Sequence, residues 1–390
     1  MVDIVHPERL ECALREQSGG KLVLSDRHVE QWRQQGYLLV DNLFAESRVQ
    51  QALEELTQLQ MKKGGDDFQV GDGLCFPTGL PSLDSLTLDP ALLVAVKQLL
   101  GVEEIRLSQG ETWKKTAYAD TSADAGAVDR TYSNQDQRIH MDYLNHTLLH
   151  PPPWDRPEAV AAIVYLSHSE VCSGGTRVVP RSSAADALYQ WPYCNMPGFG
   201  SIPWLNDRTT VEDFLAKEYP DVAAFRQAVY ARERGVSFTP GTVLLYRHDI
   251  WHRGTPLKPN AQRFVQNLVF KKPRCDWLNN WNVGTAFSMY RPDQYVEKLI
   301  ARMDIHQRNC LGIPYPGHPY WTAEMLAAVE IRYKDFGIDM TPYKEVGVEN
   351  APCEAWPKVG HGSATNILTA PALIKGALIK PRSLLHHIST

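Results

Sequence analysis

The sequence predicts a mainly β core, a compact barrel or sandwich, with helices before and after it. Between residues 104 and 271, short apolar runs alternate with tight turns, which is typical of packed or closed sheets. Before residue 100 and after residue 291, apolar residues recur at helical spacing instead. The 390 residues suffice for one large domain with additions or for two domains.

Composition and charge argue against several classes of protein. The 22% of charged and 43% of hydrophobic residues are ordinary for a globular protein. A net charge of −5 without a long basic run argues against a nucleic-acid partner. No apolar run approaches the length of a membrane span, and the polar start does not resemble a secretory signal. Seven scattered cysteines without a Cys-x-x-Cys pair indicate a reducing compartment, so we expect a cytoplasmic protein.

The first hundred residues predict helices around one buried strand. Ser25 is a candidate N-cap for a helix over 26–35, which Gly36 ends. A short apolar strand follows over 37–41. The other elements predicted here are a helix over 46–61, a loop over 64–85 and a helix that begins near Pro90.

The middle of the chain predicts short strands, and the end predicts helices again. Gly174 and Gly175 are expected to form a turn that needs positive φ angles. The predicted strands cover 105–113, 159–166, 176–179, 242–246 and 263–270. The predicted helices cover 211–219, 222–234, 293–304 and 322–335.

The segment Arg138-Ile-His-Met-Asp-Tyr143 is the strongest chemical signal in the chain. On an extended strand His140 and Asp142 leave the same face, so both side chains can reach one metal ion. By itself, the pair is more often a hydrogen-bonded pair at a strand end. A third ligand must therefore come from elsewhere, and the candidates are the other histidines, His146, His150, His248 and His252.

His252 is the favoured third ligand, since it follows a strand and precedes Arg263 on the next one. Two histidines and a carboxylate form a facial triad that leaves three positions of a ferrous ion open for substrate and oxygen. A 2-oxoacid would fill two of them, and its far carboxylate would need a fixed cation. The arginine fork of Arg263 suits that role. His248 and Asp249 would then orient ligands or lie in solvent.

The ordered motifs resemble the phytanoyl-CoA dioxygenase family of Fe(II)- and 2-oxoglutarate-dependent oxygenases, over about residues 25–272. The His-x-Asp pair alone would be a weak match, but its order with a Gly-Gly-Thr turn and the His/Arg spacing is specific. The segments that carry the resemblance are 35–42, 140–142, 161–167, 173–182 and the pair His252 and Arg263.

The resemblance implies a double-stranded β-helix, or jelly roll, with helices outside it. It implies Fe(II) bound by His140, Asp142 and His252, and 2-oxoglutarate bound by Arg263. Gln109 and Lys115 match a family pair six residues apart, although Lys114 competes with Lys115 and the usual following Pro-Pro is absent. Since Asp142 keeps its carboxylate, hydroxylation of a C–H bond with O2 is expected rather than halogenation, releasing succinate and CO2.

The resemblance also divides the chain. Residues 1–24 are expected to form an N-terminal arm and 25–275 the oxygenase domain, with an insertion over about 183–235. A helical extension packed on the core over 276–355 and a tail over 356–390 would follow. Insertion and extension could shape a substrate pocket or a contact in a homo-oligomer.

Several alternatives stay open at this stage. Lys114 and Lys115 could be a solvated strand end, and Tyr143, Asn145 and Arg177 could line a substrate pocket. The expected substrate is a small metabolite, because no basic cluster in the sequence offers a site for the phosphates of a CoA thioester. A peptide or protein hydroxylase with the same triad, or a non-catalytic metal-binding jelly roll, are the alternative functions.

Overall fold

The computed structural model of this chain describes residues 3–62, 74–117, 134, 136–142, 147–190, 195–200, 202–275, 277–278 and 294–345. The strands are β1 Asp3–Val5, β2 Glu8–Arg9, β3 Tyr37–Asp41, β4 Leu74–Cys75, β5 Arg106–Thr116, β6 Ala159–Tyr165, β7 Thr176–Val178, β8 Arg234–Val236, β9 Val243–Tyr246, β10 His252–Gly254 and β11 Gln262–Lys271. The α-helices are α1 Cys12–Gln17, α2 Asp26–Gln35, α3 Glu46–Lys62, α4 Pro81–Thr87, α5 Pro90–Leu100, α6 Ser169–Cys172, α7 Arg208–Glu218, α8 Pro220–Tyr230, α9 Tyr295–Arg302, α10 Ile305–Cys310, α11 Ala323–Tyr333 and α12 Thr341–Glu345.

Two sheets form the core of the fold. A seven-stranded major sheet has the order β2-β3-β9-β6-β11-β5-β4, and a four-stranded minor sheet has the order β1-β8-β7-β10. From β9 to β11 the chain passes from the major sheet to the minor sheet and back. His140 forms an antiparallel bridge with His252 of β10, so the segment between β5 and β6 also joins the minor sheet. This alternation between two sheets is a double-stranded β-helix, as the sequence predicted.

Strict side-chain alternation on the major sheet separates two hydrophobic layers. On β11, Val265 and Val269 pack between the sheets, whereas Leu268 and Phe270 pack under the helices. β6 alternates in the same way, with Ile163 on the inner face. Successive side chains of a strand point to opposite faces, so both faces of this sheet are covered. The inner face is where the site described below lies.

The helix α2 and the strand β3 begin and end as the sequence predicted. The Ser25 hydroxyl accepts a hydrogen bond from the amide of His28, and Gly36 ends the helix with a φ of 89°. A Cβ on Gly36 would lie 2.7 Å from the Trp154 ring, so glycine is needed there for space as well as for conformation. Gly174 takes a positive φ of 63°, as predicted for the turn, but Gly175 does not. Gly175 is limited by space instead, since a Cβ there would lie 2.8 Å from the carbonyl oxygen of Val236.

The structure corrects the predicted elements at several points. The expected loop over 64–85 contains α4, which Pro81 begins and in which Leu83 and Leu86 are buried. β5 extends to Thr116, so Lys114 and Lys115 lie within a strand rather than at a solvated end. In both segments, prolines, glycines or lysines indicate a loop or the end of a strand. Burial of the neighbouring apolar residues nevertheless stabilises a regular element there.

The segments outside the predicted oxygenase core contribute to it. β1 pairs with β8 and β2 pairs with β3, so residues 3–9 extend both sheets. Residues of the C-terminal helices, among them Ile300, Val329 and Tyr333, belong to the same buried cluster as the inner faces of the sheets. No helix in the described ranges is both long and apolar enough to cross a membrane.

Candidate metal centre

Three buried side chains converge between the sheets. His140, Asp142 and His252 each offer a donor atom, and these atoms all lie within 4.8 Å of one another. Asp142 Oδ1 is 3.5 Å from His140 Nε2 and 3.3 Å from His252 Nε2. Neighbouring ligands of an octahedral first-row metal are about 3 Å apart when each bond is about 2.1 Å long. The two separations from Asp142 Oδ1 are within about 0.5 Å of that spacing, so these three donors could hold a divalent metal ion.

Backbone pairing sets the spacing of the two imidazoles. The amide of His140 donates to the carbonyl of His252, and the amide of His252 donates to that of His140, each over 2.9 Å. This directly opposed pair places the two ring centroids 4.4 Å apart. Asp142, two residues beyond His140, closes the triangle. Two residues more than a hundred positions apart in sequence thus form one hydrogen-bonded pair between adjacent strands.

Both histidines direct the same nitrogen to the centre. His140 Nδ1 lies 3.0 Å from the carbonyl oxygen of Arg138, and His252 Nδ1 lies 3.0 Å from that of Ile250. A carbonyl accepts only, so each Nδ1 carries the hydrogen when the ring is neutral and each Nε2 presents its lone pair. Burial, followed by the neighbouring His252, lowers the pKa of His140 to about 4. That ring is neutral at physiological pH, as a metal ligand must be.

Asp142 is ionised and held in place by a tyrosine from the major sheet. Burial opposes its charge, but the adjacent His252 and His140 hold the pKa of the carboxyl well below its usual range. Tyr246 of β9 donates its hydroxyl hydrogen to Asp142 Oδ2 over 2.8 Å. Because that bond fixes the second oxygen, Oδ1 is the atom directed to the metal position.

We expect the Tyr246→Phe variant to bind divalent metal about 10- to 100-fold more weakly, since groups that orient ligands typically contribute that much. Calorimetric titration of metal-free protein with Fe(II) or Ni(II) measures the loss. Tyr165→Phe is the matched control, because its hydroxyl bonds to Thr176 and not to a candidate ligand. Equal affinities of Tyr246→Phe and wild type would contradict the role assigned to this hydroxyl.

Residues of the predicted insertion clamp the strand that carries His140. We call Glu212, Arg226 and Tyr230 the clamp. The amide of Ile139 donates to the Tyr230 hydroxyl over 3.0 Å, and Arg226 Nη2 donates to the carbonyl of Ile139 over 3.0 Å. Glu212 Oε1 accepts from both Arg226 Nη2 (2.7 Å) and Tyr230 (2.9 Å). The amide and the carbonyl of Ile139 thus both bond to side chains of α8, and Glu212 of α7 fixes those two side chains.

A second set of buried charges ties the same segment to β10. Arg253 follows His252 and is 1% exposed. Its Nε donates to Glu233 Oε2 over 2.7 Å, and its Nη1 donates to the Asp136 carboxylate. The Gln137 side chain also accepts from the amide of Gly254 over 3.0 Å. These bonds hold residues 136–140 beside the strand of His252.

The structure places Arg263 on the inner face of the major sheet, directly beside Lys115. The two residues are register partners on β11 and β5, and Arg263 lies two residues before the inward-facing Val265, on the same face of the strand. Arg263 donates to the carbonyl of Gly174, which lies just before β7. β7 pairs with β10, the strand that begins at His252, so this bond links Arg263 to the sheet that carries the third candidate ligand. Its Nε is buried without a hydrogen-bond partner among the described residues.

Lys115 shares this cationic corner. Its Nζ donates to the carbonyl of Thr255 over 2.7 Å. Burial, and then the charge of Arg263, lowers the pKa of Lys115 to about 7. Two cations held this close favour a dianionic or carboxylate partner, because such a partner relieves their repulsion.

Gln109 lies on the same inner face of β5, next to a buried acid that the sequence did not single out. Glu111 is 2% exposed, and its carboxylate forms no ion pair among the described residues. Burial raises its pKa to about 7, and the nearby Gln109 and Trp113 only reduce that shift. Glu111 is an even number of residues from Gln109 and from Lys115, so all three share one face of β5. That spacing in the sequence was the signal that could have identified it.

The pKa of Glu111 predicts a stability change with pH. A raised carboxyl pKa means that the folded state keeps its proton to higher pH, so stability is lost as pH rises from about 4.5 to about 7. We expect Glu111→Gln to remove this loss and to be more stable than wild type at pH 8 by up to about 3 kcal/mol. Urea unfolding of metal-free protein between pH 5 and 8 measures both curves. Parallel curves for the two proteins would contradict the prediction.

Other predicted positions do not join the centre. Arg177 lies between Thr176 and Val178 on β7, on the opposite face, and pairs with Glu233 over 3.6 Å. Asp249 forms a bidentate pair with Arg247 and does not orient His252. His248 is buried rather than solvated and lies edge-on to Trp277. Tyr143, Asn145 and His146 lie outside the described residues.

Comparison with known proteins finds similarity among solved structures only. No family model matches the sequence, and no curated protein is significantly similar to it. One similar structure is EctD from S. alaskensis with 2-oxoglutarate and 5-hydroxyectoine (15% identity, 67% of this chain and 80% of that chain, TM-score 0.47). Another is SnoK, a non-heme alpha ketoglutarate dependent carbocyclase from nogalamycin biosynthesis (16% identity, 64% and 84%, TM-score 0.44).

A third is HygX from Streptomyces hygroscopicus with nickel and 2-oxoglutarate bound (15% identity, 64% and 88%, TM-score 0.42). At identities and scores this low, neither the fold nor the chemistry of this chain follows from these neighbours. The fold follows from the sheet topology, and the chemistry follows from the residues described above.

Proposed function

We propose that the protein is an Fe(II)- and 2-oxoglutarate-dependent dioxygenase of the phytanoyl-CoA dioxygenase type that hydroxylates a C–H bond of a small metabolite. The observation that carries this proposal is the convergence of His140, Asp142 and His252 in a buried position. Ferrous iron bound there would supply the oxidative decarboxylation of 2-oxoglutarate by O2 to succinate and CO2, coupled to oxidation of the substrate.

In this proposal, separate groups of residues bind the metal, bind the cosubstrate and exclude water. His140, Asp142 and His252 would hold the metal on one side and leave the other side open. Arg263 and Lys115 would bind the far carboxylate of 2-oxoglutarate, with the arginine fork giving the orientation. Gln109 would contact the cosubstrate or the substrate from the same wall. Burial of the site between the sheets keeps bulk water from the reacting atoms.

The test is consumption of 2-oxoglutarate with Fe(II) and O2, measured as succinate, across pools of metabolites. His140→Ala should abolish coupled turnover. Arg263→Ala should raise the KM for 2-oxoglutarate at least about tenfold, because it removes a charge-assisted bidentate contact, whereas Arg263→Lys should be intermediate. Arg302→Ala, on an exposed position of α9, is the matched control and should leave KM unchanged. Full coupled turnover by His140→Ala would overturn the assignment of the site.

Two other functions use the same residues. A peptide or protein hydroxylase would turn over peptide pools and not metabolites. A non-catalytic metal-binding jelly roll would bind Fe(II) and yet produce no succinate above the level of the His140→Ala variant. The buried cationic corner at Arg263 and Lys115 favours a cosubstrate-using enzyme over simple metal storage, since a metal site alone needs no such corner.

A further inference from the structure

A cleft at one end of the major sheet brings together cations from four distant parts of the chain. It has a volume of about 940 Å³ and lies between the end of α2, the segments 154–158 and 181–184, and the end of β11. Its cationic side chains, other than Arg247, are Arg33, Arg156, Arg181 and Lys272. No basic run in the sequence could reveal this cluster, because tens of residues separate its members.

The charge of these four side chains is only partly balanced within the cleft. None of them forms an ion pair among the described residues, whereas Arg247, also at the cleft, is paired with Asp249 over 2.8 Å. Three acids also line the cleft, Glu30, Asp155 and Glu158, so the four cations outnumber them by one. Glu30 accepts a hydrogen bond from Gln34 and Glu158 accepts one from Trp277. The chain as a whole carries a net charge of −5, so the cleft departs from the rest of the protein.

A fixed aromatic platform orders the cluster. Trp154 is 9% exposed, and its Nε1 donates to the carbonyl of Arg33 over 2.7 Å. The guanidinium of Arg181 lies 4.6 Å from the Trp154 ring centre and that of Arg247 lies 3.9 Å from it. Arg181 Nη2 donates to the carbonyl of Ala184, while its buried Nε has no hydrogen-bond partner in the described part of the chain. Stacking on Trp154 thus holds the guanidinium of Arg181 in place, and not all of its N–H donors are used by the protein.

We propose that this cleft binds the phosphate groups of a small molecule, with Arg181 as its central ligand. Arginine forks and a lysine ammonium are the side chains that recognise phosphate, and here they are held in advance by stacking and backbone bonds. The volume is in the range of sites for cofactor-sized molecules, larger than a single inorganic ion needs. The cleft is separate from the metal centre: it contains Arg247, whereas the preceding residue Tyr246 points inward to Asp142.

The test is calorimetric titration of metal-free protein with inorganic pyrophosphate and with adenosine diphosphate at low salt. Saturable one-to-one binding is expected, and Arg181→Gln and Lys272→Gln should each weaken it about tenfold or more, as loss of a charge-assisted hydrogen bond does. Arg302→Gln removes an exposed cation outside the cleft and should bind as wild type does. Tighter binding of the nucleotide than of pyrophosphate would indicate phosphates on an organic molecule, and equal binding a free anion.

Absence of saturable binding to wild type would overturn the proposal, as would equal weakening by Arg181→Gln and Arg302→Gln. The result is independent of the dioxygenase proposal, since the titration uses neither metal nor 2-oxoglutarate. His140→Ala should lose turnover and keep pyrophosphate binding. Unchanged thermal unfolding of Arg181→Gln without ligand excludes a folding defect as the cause of weaker binding.

Discussion

The His252→Ala variant is expected to bind Fe(II) more than about 100-fold more weakly than wild type and to lose 2-oxoglutarate turnover. Groups that merely orient a ligand are worth about 10- to 100-fold in metal affinity, so loss of a ligand itself should exceed that range. His252 Nε2 is one of three donors around a single point, and Asp142 Oδ1 lies 3.3 Å from it. Titration of metal-free protein with Fe(II) under anaerobic conditions measures the affinity directly.

The control for this variant is a histidine on the surface. His306 is exposed on α10 and contacts Tyr315, far in sequence from the candidate ligands. His306→Ala should bind Fe(II) as wild type does and retain turnover. If His252→Ala kept wild-type affinity, the metal would have to lie elsewhere, and the facial triad would be wrong.

The second large effect is on stability, from the clamp behind His140. Arg226 is fully buried and forms a bidentate pair with Glu212. Arg226→Met removes one partner and leaves the carboxylate with only the Tyr230 hydroxyl, and such broken buried pairs cost about 3–5 kcal/mol. Because the Glu212 side chain is 12% exposed, we expect the low end, about 3 kcal/mol, in urea unfolding of metal-free protein.

A double variant separates loss of charge pairing from loss of packing. Arg226→Met with Glu212→Gln leaves no uncompensated carboxylate, so it should be more stable than Arg226→Met alone. Arg302→Met, on an exposed position, should change stability by less than about 0.5 kcal/mol. A loss below about 1 kcal/mol for Arg226→Met would show that the clamp does not stabilise the fold. Because Arg226 bonds to Ile139, we also expect weaker Fe(II) binding by this variant.

The local signals in the sequence predicted most of the fold. Ser25 and Gly36 bound α2, and the continuous apolar residues 159–166 predicted the strand β6, which the structure buries on both faces. The α4 helix was missed, because Pro81 was interpreted as a loop residue when it is the first residue of a helix. Short helices that depend on burial of two leucines have weak local signals, and only the layer that they cover makes them stable.

The triad positions were predictable because the chemistry restricts the residue types and the strand period restricts their spacing. Tyr246 and the clamp were not, although both contact the ligand segments. Tyr246 stands in an apolar strand where a tyrosine is ordinary, and Arg226 stands on a helix face where an arginine is ordinarily solvated. No spacing rule connects either residue to His140, because each contacts the segment of residues 139–142 from a part of the chain that is far away in sequence.

The sequence by itself predicted the candidate ligand residues, the alternation that places His140 and Asp142 on one face, and the arginine that faces inward on β11. These properties depend on residue type and on a period of two along a strand, so neighbours in sequence are sufficient to set them. Only the tertiary structure decided how closely His252 approaches His140 and Asp142, what holds His140 in place, and that four scattered cations share one cleft. Contacts between segments far apart in sequence depend on the register of the sheets, and that register is fixed only when both hydrophobic layers are packed.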